Sequence, residues 1–134
     1  MTDPFAGMDA GFEDARRQLS EIRAKAHDNK RRANALADDV DAITAEARSP
    51  RGEVVVEAGV GGRLRAVTFG PAAQNLALDA LGVLTLQTIA DAQHAAMARL
   101  ADRGAELFGP ESDIAVSMRR DADQGYPRTG EPWS

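Results

Sequence analysis

The chain has 134 residues, no cysteine and a formal net charge of −5. Its length is that of about one domain, and without a thiol it can build neither a disulfide framework nor a thiolate metal site. Charged residues are plentiful at 28% and aromatics scarce at 4%, which suits long helices better than a thick globular core. A small chain drawn out in this way buries little surface alone, so self-association is a natural remedy. The longest apolar stretch, around Leu81 to Leu86, is far too short to cross a bilayer. Met1 to Gly11 carries acids and no base, unlike a secretory signal, and the expected compartment is the cytoplasm.

Residues 1–11, rich in Gly, Pro and Asp, read as a flexible lead-in. From Phe12 to Ala47 the apolar residues follow a heptad order. One seam position is Phe12, Leu19, Ala26, Ala33, Val40 and Ala47; the other is Ala15, Ile22, Asn29, Leu36 and Ile43. Only Asn29 interrupts the stripe, and no Pro or Gly falls inside it, so a long helix with a coiled-coil-like seam is expected. Ser49-Pro50 stops it, because the residue before proline avoids helical backbone.

Two β-branched runs follow, Glu53 to Ala58 and Arg63 to Phe69, around Gly59-Val60-Gly61-Gly62. They read as a β-hairpin, with Glu53, Val55 and Glu57 on one face and Val54, Val56 and Ala58 on the other. A lone hairpin is marginal in water, and a second copy could supply further strands. Gly70-Pro71 closes the hairpin. A second helix is expected between Ala72 and Phe108, with one stripe through Leu76, Ala80, Val83, Leu86, Ala90, Gln93, Met97, Leu100 and Leu107. Leu81, Ile89, Ala92 and Ala96 form another, so this helix needs cover from two sides. Gly109-Pro110 ends it, and residues 109–134 read as a disordered tail.

No catalytic constellation can be assembled. His27 and His94 fall on different helices with no acid at metal-ligand spacing near both. Glu53 and Glu57 are explained as solvent-facing strand charges. Gly59-x-Gly61-Gly62 lacks the Lys-Ser/Thr of a phosphate loop and leads into a strand, so a turn is the reading. The chain is expected not to be an enzyme, and no cofactor or metal is implied.

Charge is unevenly distributed. Residues 12–34 hold seven bases (Arg16, Arg17, Arg23, Lys25, Lys30, Arg31, Arg32) against four acids, and residues 35–47 hold four acids and no base. Arg16, Arg23 and Lys30 recur every seven residues on one flank of the seam. Lys25 and Arg32 lie on the other flank, with Arg17 and Arg31 on the outer face. Such a row matches the phosphates of a duplex; a solvated, salt-bridging flank is the alternative. A parallel self-pair of this helix sets Lys25 against Lys30, an antiparallel one sets Lys25 near Asp39, and packing on the chain's own second helix avoids both.

The order of parts then resembles a known family. A long charged helix, a hairpin of the form Gly52-x-Val54-x-Val56 and Leu64-x-Ala66-Val67-x-Phe69-x-Pro71, and a long Ala/Leu helix look like the YbaB/EbfC family over residues 12–108. The Ala- and Arg-rich composition is similar to actinobacterial members, some of which resemble accessory proteins of type VII secretion systems. The resemblance implies an α+β homodimer whose hairpins and second helices meet at the centre, with the first helices projecting like tweezers. It places Val54, Val56, Leu64, Phe69, Leu81, Leu86 and Ile89 at the core or dimer centre. It also implies a nucleoid-associated protein that binds double-stranded DNA with low sequence preference through the seven bases of residues 16–32. The acidic total and the run Asp38 to Asp41 depart from that pattern. The alternative is a dimeric adaptor or chaperone for another protein, with the tail residues Tyr126 and Trp133 as a second contact. Neither reading involves a membrane.

Overall fold

The computed structural model describes residues 6–125. The described part divides into two compact units that part between Ala35 and Leu36. The elements are α1 (Ala6–Val40), β1 (Thr44–Arg48), β2 (Val54–Gly59), β3 (Leu64–Phe69), α2 (Leu78–Phe108) and α3 (Asp113–Gly125), with short 3₁₀ turns at Val60–Gly62 and Pro71–Asn75. The expected α+β order of long helix, hairpin and long helix is present, and two elements are added to it.

The first addition comes where α1 ends. The seam was expected to stay helical to Ala47, but the helix stops at Val40 and Thr44–Arg48 forms β1. Asp38, Asp39 and Asp41 crowd the negative end of the helix dipole, with no base in the last turn, which weakens continuation. The chain turns instead, Ala42 N–H and Ile43 N–H donating to the Asp39 carbonyl at 3.0 and 3.1 Å. Ile43, Ala45 and Ala47 also alternate, so the segment can add a strand to β2. The result is a three-stranded antiparallel sheet in the order β1-β2-β3, with Ala45 opposite Ala58 and Ala47 opposite Val56.

The loop between β1 and β2 is tied by Glu53. Its carboxylate accepts from the Arg51 N–H at 2.7 Å and the Ser49 hydroxyl at 3.1 Å, while the Val54 N–H donates to the Ser49 oxygen at 2.9 Å. Glu53 is buried and precedes the strand, which corrects its placement on a solvent-facing strand surface. Its own backbone N–H, then those of Arg51 and the Ser49 hydroxyl, hold its pKa below the ordinary carboxylate value against the opposing effect of burial. The β2–β3 turn depends on Gly61 and Gly62, whose φ values of 76° and 78° suit a residue without Cβ.

Val54, Val56 and Ala58 on β2 pack with Ala92 of α2, and Ala47, Leu81, Leu84 and Ile89 close around them. The α2 helix lies across β1 and β2, while β3 is exposed at all six positions. Residues at the predicted core therefore divide. Val54 and Val56 are fully buried and Leu81 and Ile89 line the core; Leu64, Phe69 and Leu86 stand exposed.

The second addition is α3, at residues 113–125 of the segment expected to be a disordered tail. Ser112 caps it, its hydroxyl accepting from the Ala115 N–H at 3.2 Å. Ala115 and Ala122 are buried against α2. The His94 Nδ1–H donates to the Ala122 carbonyl at 3.2 Å, and Arg119 pairs with Asp102. This amphipathic stripe of small residues offsets the polar composition that argues for disorder. Tyr126, Trp133 and the rest of residues 126–134, like residues 1–5, lie outside the described part.

Candidate nucleic-acid interface

All seven bases singled out in the sequence lie on α1 between residues 16 and 32, and six of them are exposed, Arg32 being half-buried. The helix returns to within about 20° of the same face every seven residues and advances about 10 Å in doing so. Two rows follow from that geometry. Arg16, Arg23 and Lys30 make a basic row on one flank of the apolar stripe, with Ser20, His27 and Asn34 at the adjoining outer positions. Asp14, Glu21 and Asp28 make an acidic row on the opposite side.

The acidic row sorts the bases. Arg17 pairs with Asp14, and Asp28 holds both Arg31 at 2.6 Å and Arg32 at 2.8 Å. These are exposed helix-surface pairs of roughly 0.3–0.5 kcal/mol each, so they bias three guanidiniums toward an internal partner without locking them there. Among the described residues no ion pair involves Arg16, Arg23, Lys25 or Lys30. Among the described residues, the bases without an ion pair are thus fewer than the run of seven: three in register on one flank, and Lys25 on the other. The sequence shows these acids and a salt-bridging flank as an alternative; which bases they engage follows from Asp standing three or four residues before Arg.

Other candidate sites are internally satisfied. A cleft of about 420 Å³ is lined by Asp39, Ala42, Ile43, Arg99, Asp102, Arg103 and Glu106. Arg103 bonds Asp39 at 2.6 Å and Glu106 at 3.0 Å, Arg99 donates to the Thr44 carbonyl, and Asp102 receives Arg119. Asp39 is therefore engaged within its own unit. His27 is exposed and His94 buried; among the described residues no cluster of three His, Cys, Asp or Glu is placed to hold a metal. Among them, too, no helix is long and apolar enough to cross a membrane.

Residues 11–110 match the model of the YbaB/EbfC DNA-binding family. That span runs from the first turns of α1 to the end of α2 and leaves α3 outside it. No curated protein and no solved structure matches the chain.

Proposed function

The chain belongs to the YbaB/EbfC DNA-binding family, and we propose that it acts as a homodimeric nucleoid-associated protein whose α1 helices track duplex phosphates with little sequence preference. The observation that carries this reading is the basic row: Arg16, Arg23 and Lys30 lie in register, exposed and, among the described residues, in no ion pair, with Lys25 on the other flank. A run of phosphates presents matching negative charge, and contacts of this kind position a protein without reading bases. Contacts made to phosphates carry no sequence information of their own, so little preference among sequences follows from this reading. Arg17, Arg31 and Arg32 add to the patch when DNA competes for them against Asp14 and Asp28.

The exposed surface of the second unit supports the dimer. Leu64, Val67 and Phe69 on β3 and Leu78, Val83 and Leu86 on α2 are all large, apolar and uncovered. An apolar surface rimmed by an unpaired edge strand calls for a partner, and a second copy supplies an identical strand and helix. The local basic field of α1, rather than the acidic total of −5, is what a polyanion meets at close range. A DNA-bound protein of this kind is placed in the nucleoid.

A gel-shift titration against random duplex DNA tests the reading. A dimer doubles Arg16, Arg23, Lys25 and Lys30 to eight bases, and six to ten phosphate contacts lose about 10³–10⁵ in affinity between 50 and 200 mM salt. The triple change Arg16→Glu, Arg23→Glu, Lys30→Glu abolishes the shift at 50 mM salt. Unchanged binding by that variant overturns the assignment.

A further inference from the structure

The apolar stripe on α1 is exposed along Phe12, Ala15, Leu19, Ile22, Ala26 and Ala33, with Phe12 at 59% and Ile22 at 63% exposure. Phosphates cannot satisfy it. In heptad terms Phe12, Leu19, Ala26 and Ala33 occupy a, while Ala15, Ile22 and Asn29 occupy d. The positions beside the seam are then Arg16, Arg23 and Lys30 at e, and Gln18, Lys25 and Arg32 at g. Both flanks are basic or neutral, and neither carries an acid.

Those flanks decide what can lie in the stripe. A second α1 in parallel sets Lys25 against Lys30 and Gln18 against Arg23. An antiparallel copy sets each flank against itself, and even in the register that brings Asp9, at the preceding e position, opposite Lys30, Arg16 faces Arg23 twice. Asp39, at the next g position, is bonded to Arg103. Like charges at these positions oppose pairing, so a copy of the chain is a poor match for the stripe. The complementary occupant has an apolar seam and carboxylates beside it.

We propose that the face of α1 from Phe12 to Ala33 is a docking surface for an acidic-flanked amphipathic helix of a different protein. The stripe runs three heptads, about 33 Å at 1.5 Å per residue, and supplies anchors at the i, i+3, i+7 spacing that helix-in-groove recognition uses. Asn29, the polar break in the seam, sets the register by preferring a polar residue opposite. The docked helix covers Arg16, Arg23 and Lys30, so it excludes DNA from the same row. This goes beyond the DNA reading and stands or falls separately from it.

The test uses the full chain and labelled synthetic peptides, without DNA. The first peptide has three heptads with Leu and Ile at a and d and Glu at e and g. The second has Lys at e and g. The third is a scramble of the first, with the same charge and no seam. Fluorescence anisotropy is expected to show saturable micromolar binding of the first, with the second and third at least about tenfold weaker. Ile22→Asp, at an exposed position that leaves the helix intact by circular dichroism, is expected to weaken the first peptide by about tenfold or more. Equal binding of the scramble reduces the surface to plain charge and overturns the proposal, as does failure of the first peptide to bind. So does a loss of self-association by the unliganded chain on Ile22→Asp, because a second copy would then be the occupant.

Discussion

Val54 and Phe69 stand opposite one another across β2 and β3, yet Val54 is fully buried and Phe69 is 53% exposed. Directly opposed residues point to the same face of a sheet. Val56 and Val67 repeat the pattern one pair along, Val56 fully buried and Val67 exposed. The inner face of the sheet therefore continues beyond the reach of α2, which lies over β1 and β2. The sheet is wider than the helix that covers it, and the uncovered strand is its edge.

The expected outcome is that Phe69→Asp, combined with Leu86→Asp, converts a dimer into a monomer. Light scattering is expected to give about twice the 14.2 kDa chain mass for the native protein at micromolar concentration and the single mass for the variant. Both residues are exposed in the protomer, so its own core is untouched and far-UV circular dichroism should keep its helical shape. A native protein that runs as a monomer overturns the dimer.

The ion pairs on α1 predict an ordering of substitutions that charge counting does not. Arg23→Ala should weaken DNA binding more than Arg17→Ala, since Arg17 is already paired with Asp14. In a dimer Arg23→Ala removes two phosphate contacts, lowering the salt slope by about two. Asp28→Asn should tighten binding, because it releases Arg31 and Arg32 together. Anisotropy titrations of a labelled random duplex at several salt concentrations measure all three. An Asp28→Asn variant that binds more weakly contradicts the ordering.

These features were unequally legible in the sequence. The long first helix could be read because its stripe repeats over several heptads without a breaker, and the hairpin because the valines of β2 lead into paired glycines. β1 was hidden because Ile43 and Ala47 satisfy a helical period while Ile43, Ala45 and Ala47 satisfy a strand period; pairing with β2 decided between them. α3 was hidden because its buried stripe is made of Ala115 and Ala122, which a polar composition obscures. In the candidate site, the recurrence of Arg16, Arg23 and Lys30 was visible. Which guanidiniums were already occupied depended on single acids three or four residues away.

Glu53 predicts an acid-sensitive step in stability. Hydrogen bonds from its own N–H, from Arg51 and from Ser49 lower its pKa in the folded state. The unfolded chain binds its proton more readily, so this contribution is fully present above the ordinary carboxylate value. It is lost as pH falls through the lowered folded value. Glu53→Gln removes the titration, and its destabilisation should be larger at pH 7 than at pH 3. Urea melts of both proteins at the two values check the sign; an equal difference at both assigns the effect to shape alone.

Ala122 makes the docking of α3 testable. It is fully buried, and its carbonyl accepts from His94, so a larger charged side chain there cannot be accommodated without lifting the helix. Overpacking of this kind costs about 1–3 kcal/mol, which raises the undocked population although Ala115 and the Arg119–Asp102 pair still hold α3. Ala122→Glu should therefore expose the Arg119–Arg120 bonds to trypsin, while cleavage at Arg48, Arg51, Arg63 and Arg65 in the sheet region stays slow. Mass spectrometry of early fragments separates this from global unfolding, which accelerates every site together. Because α3 lies outside the matched span of residues 11–110 and away from the basic row in sequence, DNA affinity of the variant should stay within about twofold of native, well under the tenfold that 1.4 kcal/mol represents. Unchanged cleavage at Arg119 would mean that α3 is held by more than the Ala122 contact.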